Sequence, residues 1–334
     1  MDLATDYLGL RLRNPLVASA SPLSQTLDGI RRLADAGVAA VVVFSLFEEQ
    51  LGDRAVGGAP PAGDGAGTAD HAPAHLPPVS ESTSPREYLT LLARATAAVD
   101  VPVIGSLNGV TPGGWVRYAR AMQEAGASAI ELNVYYVPGD PRLSGRDIEQ
   151  RHVDVLTQVK AAVTVPVAVK LSPHFSSAGE VAVRLAEAGA DGLVLFNRFL
   201  QPDIDPDTVT VVPTLELSSP AEGRLPRTWI ALLRRRVSVS LAATTGVDGP
   251  ADVVKYLLAG ADVVMTASAL LRHGVDHVGT LLDGLTEWMG WKEFDSVSAM
   301  RGILSVPPDS DQAGYARAGY VNVLETAKFS YSRW

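Results

Sequence analysis

The sequence predicts a closed (β/α)₈ barrel, and three observations carry that prediction: a helix, Ala-Gly, strand phrase that recurs four times, a second phrase in which proline opens a strand, and a total of eight such strands. In the first phrase Ala36-Gly37 precedes Ala39 to Phe44, Ala125-Gly126 precedes Ala129 to Asn133, Ala188-Gly189 precedes Gly192 to Asn197, and Ala259-Gly260 precedes Asp262 to Thr266. The glycine ends an amphipathic helix in a left-handed turn, and the apolar run that follows reads as a strand buried on both faces. In the second phrase Ala97-Ala98-Val99-Asp100-Val101-Pro102-Val103 is echoed by Ala161-Ala162-Val163-Thr164-Val165-Pro166-Val167. Proline stands there because its missing N–H costs least where a strand begins. Leu16 to Ser19 as the first strand and Ser238 to Ala242 as the seventh complete the set. A doubly wound open sheet is the structural alternative, but Ala18-Ser19-Ala20-Ser21-Pro22 stands where its glycine fingerprint would follow the first strand.

Length and composition, with 47% apolar and 19% charged side chains that can fill a large core, suit one large α/β barrel or two ordinary domains, and the repeat points to one barrel domain over residues 1–334. The formal charge of -9 is spread in short mixed runs, and the longest basic block is Arg234, Arg235 and Arg236, so no electrostatic footprint for nucleic acid is present. A small-molecule substrate is expected. With no cysteine, disulfides, thiol nucleophiles and thiolate metal sites are excluded, including an iron–sulfur cluster held by this chain. No metal is expected, and redox chemistry has to come from a cofactor. Met1 to Asp6 has no signal-peptide core, and no apolar run approaches the roughly 20 residues of a spanning helix, so no membrane association and a cytoplasmic address are expected.

Three segments fall outside the repeat. Asp6 to Asn14 alternates apolar and polar residues around Gly9 and reads as a hairpin capping the lower end of the barrel. Residues 51–84, rich in Gly, Ala and Pro, read as a mobile loop after the second strand, either a lid on the catalytic face or an unconstrained insertion. Thr208 to Ser218 is a β-rich excursion after the sixth strand. The aromatic-rich stretch Tyr315 to Trp334 is expected to dock on its own barrel, with packing on a second subunit in a homodimer as the alternative.

In a barrel the strand C-termini and the loops after them build the active site. The residues there are Ser19 and Ser21, Ser45, Ser106 and Asn108, Asn133, Lys170, Asn197, Thr244 with Thr245, and Thr266 with Ser268. Lys170 matters most, because a lysine closing the buried run Val165 to Val169 needs an anionic or polar partner. It can face the electron-rich N1–C2 edge of a reduced flavin, form a Schiff base with a carbonyl substrate, or simply pair with Glu131. Asn108, Asn133 and Asn197 offer donors and acceptors that would read a ring of alternating carbonyl and N–H groups. Thr244-Thr245-Gly246-Val247 and Thr266-Ala267-Ser268-Ala269 follow the last two strands, where barrels bind phosphate, and their small side chains let backbone N–H groups approach an anion.

These residues carry a resemblance that runs nearly the whole length. Leu8-Gly9-Leu10, Arg13-Asn14-Pro15-Leu16 and Ala18-Ser19-Ala20 resemble the opening of dihydroorotate dehydrogenases, and Glu131-Leu132-Asn133, Val167 to Pro173 and Ala259-Gly260-Ala261-Asp262 continue it. Ser106-Leu107-Asn108-Gly109, Phe196 to Phe199 and Ala242 to Val247 are most similar to the bacterial dihydroorotate dehydrogenase-like branch. The resemblance implies an FMN-dependent oxidoreductase acting on a CH–CH bond, in the manner of dihydroorotate oxidation to orotate in pyrimidine biosynthesis. It puts Ala20, Ser45, Asn108, Asn133, Lys170, Thr245, Gly246 and Ser268 at flavin-binding positions, which Ser21, Thr244 and Ala267 adjoin. Asn133 and Asn197 match positions that touch the pyrimidine ring.

Departures from the family pattern fall on the substrate side. Asn133-Val134-Tyr135-Tyr136 places Tyr136 where the family carries a Cys or Ser base, and a phenol serves more readily as proton donor than acceptor near neutral pH. Phe44 replaces the lysine expected beside Ser45, the family's Gly-Asn-Pro segment is missing after the second strand, Pro138 replaces an asparagine, and Arg198 follows Asn197 where serine is usual. Under this reading the catalytic residues are Tyr136, Lys170, Asn197 and Arg198, the last as a bidentate carboxylate partner. The alternatives are a cofactor-free lyase or aldolase using Lys170 as Schiff-base nucleophile, and a flavin-binding protein without turnover.

Overall fold

A computed structural model describes residues 1–48, 84–109, 115–136, 139–199, 202–212 and 216–331. Eight parallel strands form the barrel: β3 (Leu16–Ala18), β4 (Ala40–Val42), β6 (Val103–Gly109), β7 (Ala129–Val134), β8 (Val167–Lys170), β9 (Gly192–Leu195), β12 (Ser240–Ala243) and β13 (Val263–Thr266). Each pairs with the next, and β13 pairs with β3 to close the ring. A short β5 (Leu46–Phe47) extends the mouth by pairing with the end of β6. The antiparallel hairpin of β1 (Thr5–Tyr7) and β2 (Leu10–Leu12) precedes the barrel, and a second hairpin, β10 (Asp203–Asp205) and β11 (Thr210–Val212), occupies the excursion after β9.

The local chemistry expected of the repeat is present. Gly37, Gly126, Gly189 and Gly260 all take positive φ, between 92° and 123°, where a Cβ would be strained. Each ends a helix: α1 (Leu27–Asp35), α3 (Trp115–Glu124), α5 (Ala178–Glu187) and α7 (Pro250–Ala259), with α2 (Pro85–Thr96), α4 (Gly145–Lys160) and α6 (Arg224–Leu233) covering the other strands. Strand residues alternate between two cores. Leu16, Val41, Val103, Leu132, Val169, Leu193 and Leu241 face the helices. Ala40, Ala129, Ala168 and Ala242 face inward with Val17, Val42, Ile104, Val194 and Met265.

The hairpin plugs the lower end of the barrel, since Tyr7, Leu8 and Leu12 join that inner cluster. Gly192 makes room for the plug: a Cβ there would lie 2.6 Å from Leu8 Cδ2. Two aspartates stitch the same end. Asp191 accepts the Val167 N–H and pairs with Lys160, and Asp262 accepts the Leu241 N–H while binding both Arg234 and Arg301.

One expectation is corrected. Among the described side chains of the C-terminal helix (Gln312–Tyr331), Tyr320, Val321, Val323 and Leu324 are exposed and not docked on the barrel. Its apolar and polar residues are mixed around the axis, so no single apolar stripe directs it onto a partner surface within the chain. Residues 51–83 of the expected mobile loop, and Pro138, lie outside the described residues.

Candidate active site

Register brings the central residues together. Asn108 on β6 lies opposite Asn133 on β7, which lies opposite Lys170 on β8, so the three stand in a row across neighbouring strands at the C-terminal rim. They are two residues beyond Ser106, Glu131 and Ala168, which lie one level down in the same register. Lys170 is buried, and its Nζ lies 3.4 Å from both Ser19 Oγ on β3's end and Glu131 Oε1. The ion pair with Glu131 foreseen as an alternative is therefore present. Glu131 is only 1% exposed, and its Oε2 is buried without a hydrogen-bond partner.

Around this row the mouth is tied by short polar contacts. Asn197 Nδ2 donates to Asn133 Oδ1 at 2.9 Å. Ser45 and Ser106 hydroxyls are 2.9 Å apart, and the Tyr88 phenol accepts the Ser106 N–H. Burial pushes that phenol above its ordinary range, so it stays protonated.

The turn after β12 is the most constrained backbone of the mouth. Thr245 and Gly246 have φ of 77° and 70°, and a β-branched residue in the left-handed region is strained. Tyr256 on α7 opposes that strain, with its hydroxyl 2.6 Å from the Thr245 carbonyl oxygen and 3.2 Å from that of Thr244. Thr245 Oγ1 donates to the Phe196 carbonyl at 3.0 Å. A Cβ on Gly246 would lie 2.5 Å from Gly223 N, so only glycine fits. Ser218 joins the two terminal loops: its Oγ accepts the Gly246 N–H, and its hydroxyl donates to Ser268 Oγ at 3.1 Å.

A cleft of ≈ 160 Å³ runs from Lys170 and Asn197 to Thr266, Ala267 and Ser268, lined also by Ala20, Thr244 and Thr245. A second cavity of ≈ 400 Å³ adjoins it through Phe196, Asn197, Arg198 and Thr245. Together they reach the size of a cofactor-plus-substrate site, which the smaller alone would not. Thr266 Oγ1 is buried in the cleft wall with no partner, a polar atom that a bound ligand would satisfy.

Other expected residues stand apart. Tyr136 is half-buried beneath Arg151, whose guanidinium carbon lies 4.3 Å from the ring centroid, and it lines neither cavity. Ser21 likewise lines neither, and its carbonyl accepts the Ser24 N–H in a short 3₁₀ turn. Arg198 lines both cavities but is engaged by Glu222 at 3.0 Å and by the Glu216 carbonyl. Tyr135 stacks on Phe199 at 4.4 Å, flanking the larger cavity.

Sequence reasoning missed Ser218, Phe196, Tyr256 and Tyr88. Ser218 closes an excursion with no repeat to align it, and both tyrosines sit on helices where an aromatic reads as core. Only the positive φ of Thr245, invisible in the sequence, marks Tyr256 as more than packing.

A family model described as dihydroorotate dehydrogenase matches residues 82–289. The chain is 29% identical over 310 residues to a protein of Methanothermobacter thermautotrophicus named dihydroorotate dehydrogenase B (NAD(+)), catalytic subunit, covering 90% of this chain and 98% of that one. It is 28% identical over 308 residues to the protein of the same name from Thermoplasma acidophilum, covering 90% and 98%. With the namesake of Methanocella arvoryzae it shares 30% identity over 275 residues, 81% of this chain and 87% of that one.

Proposed function

The chain belongs to the dihydroorotate dehydrogenase family and is an FMN-dependent oxidoreductase of that type, and from that premise we propose that the Asn108–Asn133–Lys170 row and the cleft beside it hold FMN while Asn197, Arg198 and Tyr136 serve the substrate. The observation that carries this reading is the position of Lys170, which ends the row of rim residues and also lines the cleft that leads to Ser268. The donor set suits the cofactor: an ammonium, amide side chains, and the unpartnered Thr266 hydroxyl beside the small residues Ala267 and Ser268.

When bound, FMN supplies a hydride acceptor and donor at its N5. Lys170 places a positive charge where the reduced ring gathers negative charge. Asn197, fixed by Asn133, orients a ring substrate through its amide. Tyr136, beneath Arg151, is the group assigned to the paired proton at the neighbouring carbon. Arg198 exchanges Glu222 for a substrate carboxylate. Dihydroorotate, which the relatives' names give as their substrate, is the first compound to try.

The test is anaerobic mixing of the purified flavoprotein with dihydroorotate and with related cyclic and acyclic CH–CH substrates, following the flavin band near about 450 nm. Bleaching by one of them supports an enzyme. A flavin that resists every compound yet is reduced by dithionite supports the binding protein without turnover.

A further inference from the structure

Beneath the rim, the barrel encloses a polar column that the mechanism above does not use. Glu131 faces Lys170 with one carboxylate oxygen and has its other oxygen buried without a partner. Tyr7 rises from the N-terminal hairpin into the same interior, 1% exposed, and its hydroxyl is also buried without a partner. Around them the inward positions are alanines and valines: Ala129, Ala168, Val194 and Ala242. In so apolar a space an unpaired hydroxyl donor and an unpaired carboxylate acceptor have few groups to satisfy but each other, directly or through one enclosed water.

We propose that Glu131 and Tyr7 are positioning residues for the cofactor: Tyr7 steadies the inner oxygen of Glu131, Glu131 holds and partly neutralises the Lys170 ammonium, and the column thereby sets how strongly the mouth favours the reduced flavin. The proposal rests on the FMN reading of the site. Electrostatics supports the link, because burial, then Glu131, then Asp262 hold the Tyr7 phenol well above its ordinary value, so it remains a donor. A purely structural column would be indifferent to the charge it carries. This one puts a carboxylate directly below the cation that faces the cofactor.

The test is the two-electron midpoint potential of FMN-loaded protein, measured by dye equilibration for wild type, Glu131→Gln, Tyr7→Phe and Lys170→Met. Both inner variants keep side-chain size. Glu131→Gln leaves the ammonium uncompensated and raises the equilibrium constant for reduction at least tenfold, a rise of about 30 mV. Tyr7→Phe acts in the same direction by a smaller amount, because a carboxylate deprived of its donor is held less firmly against the ammonium. In the Lys170→Met background Glu131→Gln has little effect, since the carboxylate acts on the cofactor through the ammonium that this variant removes. Folded variants with the wild-type potential, or a lowered one in Glu131→Gln, overturn the inference while leaving the FMN reading intact. A wild type that takes up no FMN overturns both.

Discussion

Asn197 donates its side-chain N–H to Asn133 Oδ1 at 2.9 Å, joining the end of β9 to the end of β7 across the mouth of the barrel. The bond fixes which way both amides point, and with them the donors and acceptors offered to a ring above them. Asn133→Ala and Asn197→Ala should each lower kcat/KM for the productive substrate, and the double variant should lose less than the sum, by about 0.5–3 kcal/mol of coupling. Stopped-flow flavin reduction on the four proteins measures it.

Tyr136, proposed to move the substrate proton, lines neither cavity. Tyr136→Phe should keep FMN content and slow substrate-driven flavin reduction by about 10²–10⁴. Rapid mixing under anaerobic conditions reads both quantities. An unchanged rate removes the phenol from the chemistry.

The Tyr256 hydroxyl holds the left-handed Thr245 in place through its carbonyl. Tyr256→Phe should weaken FMN binding about fivefold, the equivalent of one hydrogen bond near 1 kcal/mol. Gly246→Ala should weaken it further, because the added Cβ meets backbone at 2.5 Å and a positive φ together. Fluorescence titration of the apoproteins gives the order.

At the opposite end, Asp262 binds Arg234 and Arg301 and also accepts the Leu241 N–H near the start of β12. Asp262→Ala should cost about 3–5 kcal/mol by leaving two partly buried guanidinium groups uncompensated. Urea unfolding of the two proteins tests this, with FMN saturating or absent in both.

His152 is buried on α4 against Phe175, and desolvation pulls its pKa below the ordinary value. The unfolded chain therefore binds a proton at higher pH than the native one, so this histidine's contribution is complete above about pH 6.5 and is lost as pH falls below it. His152→Gln should flatten that part of the stability curve. Urea midpoints between about pH 7.5 and 5.5, wild type against variant, isolate the difference.

The barrel was legible because its repeat has a chemical cause. Gly37, Gly126, Gly189 and Gly260 are needed at positive φ, and the runs after them have to be apolar on both faces. Lys170 and Asn133 were legible as polar residues ending such runs. The groups beneath them were not: Glu131 read only as a neutralising acid, and Tyr7 only as one apolar position of a hairpin. Their convergence depends on the strands closing into a ring, which brings residues 7, 131 and 170 into one interior. The excursion before Ser218 and the stretch after Met300 have no period to read, and there the expectations were loose or, for the C-terminal helix, wrong.

The central claim is that the mouth around Lys170 is an FMN site. Its most direct measurement is titration of flavin-free protein with FMN, following quenching of flavin fluorescence. The account predicts saturation at one FMN per chain, with weaker binding in Lys170→Met. Fluorescence that stays that of free FMN throughout would contradict it.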